Sequence, residues 1–281
     1  PCAPLVLESG IRRLVIGQAD PIPGHAGGAS WLSKRGVSVT RNVLQAECKE
    51  ANRAFVTWAR KGRPLYVLKV AATLDGKIAT KGGESKWITG SKAREDGRLL
   101  RSKLGAIVVG VETVLADDPR LTARGSGRVD PVRVVLDSRL RTPSRAQLLP
   151  ANSRSKARVI IATARKAPKA REQELVAAGA EVLRLPTLKK RLSLPALSEA
   201  LAARGISSAL VEGGAEVHGA FLDAGLCDEL RLYISPKAFG CASKSWLGGA
   251  GVSALEDAYR MRWRGEPQRL GDDILLIARP K

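Results

Sequence analysis

The chain contains 281 residues, 44% of them apolar, and carries a formal net charge of +20 at pH 7. A chain of this length and apolar content can bury a real core, so neither metals nor disulfides are required for folding. No run approaches the roughly 18 apolar residues of a membrane helix, and no signal peptide opens the chain. The four cysteines are widely separated, with no Cys-x-x-Cys pair, so we expect reduced, individually buried thiols in a cytoplasmic protein without a membrane partner.

The large positive charge leaves two classes of protein open. One is a nucleic-acid-binding protein, and the other is an enzyme with a basic surface and anionic substrates. The 47 basic residues are spread over the whole chain, and the densest cluster is only Lys189-Lys190-Arg191. Aromatic residues make up 4% of the chain, too few for a base-stacking surface interleaved with arginines. The composition therefore favours a small-molecule enzyme, with no nucleic-acid partner.

The first 62 residues predict short helices and strands. A helix ends near Ser9-Gly10, and the predicted elements that follow are a strand at Arg13–Ile16, a helix at Ala29–Arg35, a strand at Val37–Val39 and a helix at Ala46–Lys61. Gly62-Arg63-Pro64 then interrupts the pattern, so we divide the chain into domains 1–62 and 63–281. The first part holds only about two βα units and starts at Pro1 instead of Met. We therefore expect it to be a piece of something longer.

The second part alternates between strand-like and helix-like segments, which indicates an α/β fold. The predicted strands are Leu65–Ala72, Ala106–Val109, Val132–Leu136, Arg158–Ala162, Glu181–Arg184, Ser208–Val211, Leu230–Ile234 and Ile274–Ile277. The predicted helices are Lys92–Ser102, with Ser91 as its N-cap, Arg171–Ala178, Pro195–Ala203 and Ala215–Ala224. Segment 139–156 is basic, contains prolines and is expected to be an exposed loop.

Two motifs place unusual side chains around strand ends. Lys69 interrupts an apolar strand, and Trp87 follows it in a loop of glycines and hydroxyl residues. Lys69 could be a functional cation or a salt-bridged lysine, and Trp87 could face a ligand or simply pack. Further on, a strand ends at Gly110 and leads through a short turn to a polar loop containing Asp117-Asp118. Adjacent carboxylates repel each other, so this pair is either solvated in a turn or bonded to a ligand.

Two other motifs suit an anionic ligand. Ser138-Arg139 directly follows a strand, where ligands of α/β sheets bind, although an ordinary turn is equally consistent. Glu212-Gly213-Gly214 joins a strand to a helix whose first N–H groups are free for an anion. The spacing does not match the Gly-x-Gly-x-x-Gly fingerprint, which argues against a Rossmann domain.

Together these pieces resemble the reductase domain of the bacterial riboflavin-biosynthesis deaminase/reductase family, RibD. The matching stretches are KVAATLDGKIA, GESKWITG, GVETVLADDPRLTAR, LDSR and VEGGAEVHG, and the resemblance covers essentially the whole chain. It implies a dihydrofolate-reductase-like α/β domain that uses NADPH. It also implies a homodimer that reduces the ribosyl group of 5-amino-6-(5-phospho-D-ribosylamino)uracil to a ribityl group. The alternative within this fold is another pterin or pyrimidine reductase, which a phosphate-binding pair of arginines argues against.

The resemblance also implies roles for individual residues. Lys69 and Glu212 are the expected catalytic residues. The expected cofactor-binding residues are Ala71, Trp87, Thr89, Thr113, Asp117, Ser138, Gly214, Ala215, Glu216, Val217, His218, Gly219 and Ala220. The expected substrate-binding residues are Ser85, Arg101, Leu121, Arg124 and Glu212, with Arg101 and Arg124 sharing one phosphate.

The first 60 or so residues resemble the second half of the family's cytidine-deaminase-like domain. Pro1-Cys2-Ala3 is similar to the second Pro-Cys of its zinc site, and Gln18-Ala19-Asp20-Pro21 matches a later segment. The His-Ala-Glu segment and the first Pro-Cys have no counterpart. A catalytic zinc needs three protein ligands, so Cys2 alone cannot hold one and His25 is expected to be a loop residue. We expect no metal and no deaminase activity in this chain.

Overall fold

The computed structural model describes residues 2–22 and 24–281, so Pro1 of the proposed Pro-Cys match lies outside the described residues. The chain separates into two compact units, one ending at Pro64 and the other spanning Leu65–Lys281. The expected boundary after residue 62 falls two residues before this division. All four cysteines are free, but only Cys227 is buried. The expectation of individually buried thiols is therefore wrong for Cys2 and Cys241, which are exposed.

The first unit contains four helices and two strands among its described residues. In chain order these are α1 (Cys2–Glu8), β1 (Arg13–Ile16), α2 (Gly28–Ser33), β2 (Ser38–Arg41), α3 (Gln45–Ala51) and α4 (Arg53–Lys61). Strands β1 and β2 pair in parallel. The single helix expected at Ala46–Lys61 is two helices, because Asn52 leaves helical geometry at φ −95° and ψ 12°. Asparagine favours such breaks because its side chain competes with the helix for backbone hydrogen bonds.

The second unit contains fourteen strands, ten of which form one mixed sheet. Its strands are β3 (Leu65–Thr73), β4 (Lys77–Ala79), β5 (Ala106–Gly110), β6 (Val132–Leu136), β7 (Val159–Ala164), β8 (Glu181–Leu185), β9 (Thr187–Leu188), β10 (Arg191–Leu192), β11 (Ser208–Gly213), β12 (Glu229–Ser235), β13 (Lys244–Ser245), β14 (Met261–Trp263), β15 (Gln268–Leu270) and β16 (Asp273–Pro280). The order in the sheet is β14-β16-β12-β3-β11-β5-β6-β7-β8, with β15 paired to β16. Pairings from β12 to β8 are parallel, and β16 runs antiparallel to β12. The remaining small strands form the pairs β9–β10 and β4–β13.

Five helices accompany this sheet: α5 (Ser91–Lys103), α6 (Val111–Asp117), α7 (Lys169–Ala177), α8 (Leu194–Ala203) and α9 (Ala215–Asp223). Helix α6 occupies the stretch expected to be a turn and a polar loop. Ser91 is the first helical residue of α5 and not its N-cap. Gly90 takes the cap position because its N–H donates to Asp273 Oδ2 at 2.7 Å, which fixes the chain there in an extended conformation.

Two apolar clusters pack around the sheet. One contains Tyr66, Leu68, Phe221 and the buried face of α8. The other contains Ile107, Val135 and Ile161 together with Leu140, Leu148 and Leu149. These last three residues belong to the segment expected to be an exposed loop. The segment is irregular as expected, but the prediction that it is exposed is wrong because its leucines complete this second core.

Candidate active site

Strands β3 and β11 are neighbours in the sheet and place Lys69 close enough to Glu212 for their charges to interact. Their register aligns Leu68 with Val211, so the next residues along the two strands are Lys69 and Glu212. On its other side, β11 shifts register against β5 between Val211 and Gly213. Glu212 is the extra residue of this bulge. Bulges re-aim side chains at functional sites, which fits a carboxylate directed into the sheet's crevice.

The Glu212 carboxylate is held by Arg101 of α5. Arg101 Nε donates to Glu212 Oε1 at 2.8 Å, and Nη2 donates to Oε2 at 2.6 Å. Burial by itself would raise the pKa of Glu212, but the charges of Arg101 and Lys69 outweigh it and lower that pKa to about 2. Arg101 Nη1 donates to the carbonyl of Thr122 at 3.1 Å. Both prongs of the Arg101 fork thus engage Glu212, and the expectation that Arg101 and Arg124 share one phosphate stays a prediction.

Lys69 faces this ion pair from mid-strand. Burial lowers the pKa of Lys69 below its ordinary value, and Glu212 and Asp96 oppose that effect while Arg101 adds to it. A lysine with a lowered pKa gives up its proton more readily than a solvated one. The site thus joins a proton donor to a permanently ionised carboxylate.

Arg124 lies at a second cationic feature nearby. Among residues 2–22 and 24–281, its guanidinium has no hydrogen-bond or ion-pair partner. Partial burial and the charges of Arg98, Arg101 and Arg120 lower the pKa of Arg124. A cavity of about 600 Å³ opens here. It is lined by Arg120, Thr122, Arg124, Gly125, Arg128, Asp130, Asn152, Ser153, Arg154 and Ser155. Four arginines against one carboxylate make this a place for an anion.

The turn from β11 into α9 offers backbone groups to a ligand. A Cβ added at Gly214 would meet nothing within 4 Å, so the chain is open to approach there. Gly213 has φ +92°, which favours glycine, and a Cβ at that position would meet the His218 ring at 2.6 Å. Thr113 Oγ1 donates to the Gly213 carbonyl at 3.4 Å. Free N–H groups at a helix start beside an open glycine fit the phosphates of a dinucleotide such as NADPH.

Not all residues of α9 are accessible to a ligand at this turn. His218 is 2% exposed, and its ring nitrogens lie 3.3 Å from the Trp246 carbonyl and 3.4 Å from the Val211 carbonyl. Burial, opposed by these two carbonyls, lowers the pKa of His218. Gly219 packs against the backbone of Gly248, and Glu216 is exposed and paired with Arg191 at 2.7 Å. His218 is therefore buried in the core, and its expected role as a cofactor-binding residue stays a prediction.

The remaining residues of α9's expected cofactor stretch alternate between buried and partly buried positions. Ala215 is buried, while Val217 and Ala220 are partly buried and pack against the larger core cluster. A Cβ at Gly110 would come within 2.9 Å of Val217, so strand β5 and helix α9 approach closely at this glycine.

Trp87 lies in a loop that two cations hold. It is 60% exposed, and the Arg94 guanidinium stacks 4.6 Å from its ring centroid. Lys237 Nζ donates to the carbonyls of Trp87 and Ile88, both at 2.9 Å. Thr89, buried, gives its carbonyl to Arg94 at 2.6 Å. An exposed indole on a fixed loop can stack on a flat ligand ring.

Ser85, Lys86 and Asp117 form a small polar group. Lys86 Nζ lies 3.0 Å from Asp117 Oδ1, and Ser85 Oγ donates to the same oxygen at 3.5 Å. The structure therefore brings together Ser85, expected at the substrate, and Asp117, expected at the cofactor. The neighbouring Asp118 is instead used within the protein, because it accepts from the Gln147 backbone at 2.8 Å.

Three expected residues have structural surroundings of their own. Leu121 is 3% exposed and belongs to the second core cluster, so its side chain offers little surface to a substrate. Ala71 is partly buried against the cluster of Tyr233 and Leu275. Ser138 is partly exposed directly after β6, where its neighbour Asp137 is buried and bonded to Thr142.

The sequence reasoning missed two groups beside Lys69. Tyr233 of β12 presents its ring 5.5 Å from Lys69 Nζ, and its hydroxyl donates to Asp96 Oδ2 of α5 at 2.6 Å. No short motif marks either residue. The relevant signal is strand order, since β12 pairs with β3 only across a long crossover.

A metal site does not emerge from the described residues: no three His, Cys, Asp or Glu side chains there cluster suitably. The expected absence of zinc stays a prediction. Within the same part of the chain, every helix is too short or too polar to cross a membrane.

Comparison with known proteins identifies relatives along the whole chain. The profile of the RibD C-terminal domain matches residues 64–275. The riboflavin biosynthesis proteins RibD of Bacillus amyloliquefaciens and Actinobacillus pleuropneumoniae are 40% and 39% identical, over 284 and 278 residues. These alignments cover 100% and 98% of this chain, and 75% and 73% of those proteins.

Solved structures give the same result. A diaminohydroxyphosphoribosylaminopyrimidine deaminase/5-amino-6-(5-phosphoribosylamino)uracil reductase from Thermotoga maritima has a TM-score of 0.85 at 33% identity. It is covered over 75% of its length, and all of this chain is matched. RibD from Acinetobacter baumannii has the same TM-score at 32% identity, with 100% of this chain and 76% of that chain covered.

The mixed sheet has the α/β fold expected from the sequence, and these matches identify the chain as an oxidoreductase. The chain belongs to the RibD C-terminal domain family. The resemblance found in the sequence, the fold class and the expectation of a reductase of riboflavin biosynthesis are thereby confirmed.

Proposed function

We propose that this chain reduces 5-amino-6-(5-phospho-D-ribosylamino)uracil to 5-amino-6-(5-phospho-D-ribitylamino)uracil with NADPH. The observation that carries this proposal is the Lys69–Glu212–Arg101 group. Arg101 also donates to the carbonyl of Thr122, in the segment that bears Arg124, so the group lies near that segment. A proton donor, an anionic acceptor and an unpaired cation near one another suit a phosphorylated sugar. The Thermotoga maritima relative is described as a reductase of this substrate.

Opening the ribosyl ring breaks the bond between C1′ and O4′, so O4′ needs a proton and C1′ needs a hydride. Bound NADPH supplies the hydride. Lys69 Nζ holds the proton for the sugar oxygen, and its lowered pKa makes it the better acid. Glu212 stays ionised and accepts hydrogen bonds from the sugar hydroxyls or the amine, which orients the reacting carbon.

The residues proposed to hold NADPH come from strand β3, the loop before α5, helix α6 and the segments that follow β6 and β11. They are Ala71, Trp87, Thr89, Thr113, Asp117, Ser138 and the backbone of the turn from Gly214 into α9. Ser138 and Arg139 lie just beyond β6, after Asp137, and we assign them to the 2′-phosphate, so NADPH is preferred over NADH. Charge-assisted hydrogen bonds to such a phosphate contribute roughly 1.5–3 kcal/mol.

We assign the substrate phosphate to Arg124 and the neighbouring cavity. Arg124 is exposed and its guanidinium is free within the described chain, whereas Arg101 is committed to Glu212. Ser85 lies close enough to Asp117 to meet both the substrate and the cofactor. Leu121 contributes by shaping the loop that presents Arg124.

The wider assignments follow from the same family. We propose a cytoplasmic homodimer without a nucleic-acid partner. We also propose that residues 1–62 correspond to the second half of a deaminase domain, with Cys2 as their single match to a zinc ligand.

The test is steady-state oxidation of NADPH by the purified chain. The phosphoribosylaminouracil is compared with dihydrofolate, and NADPH with NADH. We expect turnover with the phosphoribosylaminouracil and none with dihydrofolate, and a loss of about 10²–10⁴-fold in kcat for Lys69→Met. Quenching of tryptophan fluorescence by NADPH checks that the variant still binds cofactor. Turnover of dihydrofolate alone, or equal use of NADH, would contradict the assignment.

A further inference from the structure

Lys69 is held by its packing and not by a hydrogen bond. Within the part of the chain that the structure describes, no acceptor lies within hydrogen-bond distance of its Nζ. Its direction is set by two neighbours. The Tyr233 ring faces Nζ at 5.5 Å, and a Cβ added at Gly97 of α5 would lie 3.4 Å from Lys69 Cε.

Tyr233 is itself fixed from the same helix. Its hydroxyl donates to Asp96 Oδ2 at 2.6 Å, and its ring is 0% exposed. Strand β12 pairs with β3 so that Tyr233 stands opposite Ala71, two residues beyond Lys69. A buried tyrosine with a bonded hydroxyl has one orientation, and that orientation limits where the lysine can point.

We propose that Asp96 and Tyr233 are positioning residues that keep the Lys69 ammonium charged and directed at the sugar oxygen. The inference rests on the proposed function and goes beyond it by naming two groups that touch neither substrate nor cofactor. Helix α5 would then serve the site twice. Arg101 holds Glu212 from it, and Asp96 holds Lys69 through Tyr233.

The charges around Lys69 give Asp96 a definite role. Glu212 of β11 and Asp96 of α5 favour the ammonium form, whereas burial and Arg101 of α5 oppose it. From α9, His218 also lies within electrostatic reach of Lys69, but burial disfavours its charged form. Glu212 acts on Lys69 more strongly than Asp96 does, but Arg101 offsets part of that effect, so the Asp96 charge, which also faces Arg231 of β12, still adds to what keeps Lys69 protonated. Removing that charge lowers the pKa of Lys69 further, so the ammonium is lost at a lower pH.

The experiment measures kcat against pH for wild type and Asp96→Asn. We expect the high-pH limb of the profile to move to lower pH by about half a unit to one unit. The KM for NADPH should stay within about twofold, since Asp96 is not assigned to cofactor binding. Lys103→Gln is the matched control, an exposed position on the same helix whose profile should equal that of wild type.

A second variant keeps the aromatic ring of Tyr233 and removes only the hydroxyl that donates to Asp96. Tyr233→Phe should lower kcat by about 3- to 10-fold with little change in KM, because the ring loses its anchor at Asp96. Tyr233→Phe also tests the proposal if the Asp96→Asn variant does not fold. An unmoved limb in folded Asp96→Asn, or an unchanged kcat in Tyr233→Phe, overturns the inference. If the wild-type chain itself fails to turn over the phosphoribosylaminouracil, it is the proposed function that fails.

Discussion

The pairing of Arg101 with Glu212 determines which cation is left free for a ligand. Both residues could be picked out from the sequence, but not their contact, because 111 residues separate them. Once Glu212 takes the Arg101 fork in two hydrogen bonds, Arg124 is the one of these two arginines whose guanidinium has no partner among the described residues. The sequence therefore predicted single functional side chains more easily than which partner each of them binds.

Arg124→Ala tests this division at the scale of one residue. We expect the KM for the phosphorylated substrate to rise by the equivalent of roughly 1.5–3 kcal/mol, because a charge-assisted contact to the phosphate is lost. Kd for NADPH, measured by fluorescence, should barely change. Arg145→Ala is the control, an exposed arginine outside the cavity lining. A loss confined to NADPH binding would show that Arg124 belongs to the cofactor.

At the scale of secondary-structure elements, Arg133 holds the irregular segment 139–156 in place. It is 0% exposed on β6, and its guanidinium donates to the carbonyl of Leu148 at 2.6 Å, to that of Ser155 at 3.4 Å and to that of Ala157. These bonds hold segment 139–156 against the second core cluster. The sequence suggested an exposed loop because prolines and basic residues suppress any helix or strand pattern. Irregular backbone can still be buried when an interior donor satisfies its carbonyls.

Arg133→Met should therefore destabilise this half of the sheet. The three carbonyls lose their donor, at about 1 kcal/mol each, so the free energy of unfolding in urea should fall by about 2–4 kcal/mol. Limited trypsin digestion should cut faster after Arg145 and Arg154. Arg145→Met, at an exposed site in the same segment, should change stability by less than about 0.5 kcal/mol. Equal stability of the two variants would mean that the segment is held by its leucines alone.

Helices and strands differ in how much the sequence revealed. Long apolar strands such as β3 and β7 were predicted within about two residues because burial leaves a continuous apolar run. Helix α6 was missed because its seven residues include two carboxylates and no cap signal. The small strands β14 and β15 carry too few residues for any periodicity. Local sequence pattern thus predicts the longer strands, including β8 at one edge of the sheet, and misses the short strands at the other edge.

The sequence predicted the α/β class of the whole molecule but not the order of strands in the sheet. Strand β3 is first in the second unit yet lies between β11 and β12, which come more than 130 residues later. This insertion places Lys69 beside both Glu212 and Tyr233. The family motifs already identified Glu212 as a functional residue together with Lys69, whereas the role of Tyr233 is evident only from the fold.

The net charge of +20 belongs to the whole molecule and has its own consequence. A strongly positive protein attracts an anionic substrate over distances near the Debye length, about 8 Å at physiological ionic strength. The KM for the phosphorylated substrate should therefore rise by about 3- to 10-fold between low salt and roughly 0.5 M salt, while kcat changes little.

The matched control for this salt effect is the same substrate without its phosphate, whose KM should be higher throughout and nearly independent of salt. Arg124→Ala should show a weaker salt dependence than wild type, because one nearby charge is missing, while the remaining positive surface still attracts the substrate. Duplex DNA added at low salt should compete only weakly, since the basic residues are dispersed along the chain. A KM for the phosphorylated substrate that does not respond to salt would mean that the charge serves another partner, and strong inhibition by DNA would point to nucleic acid as that partner.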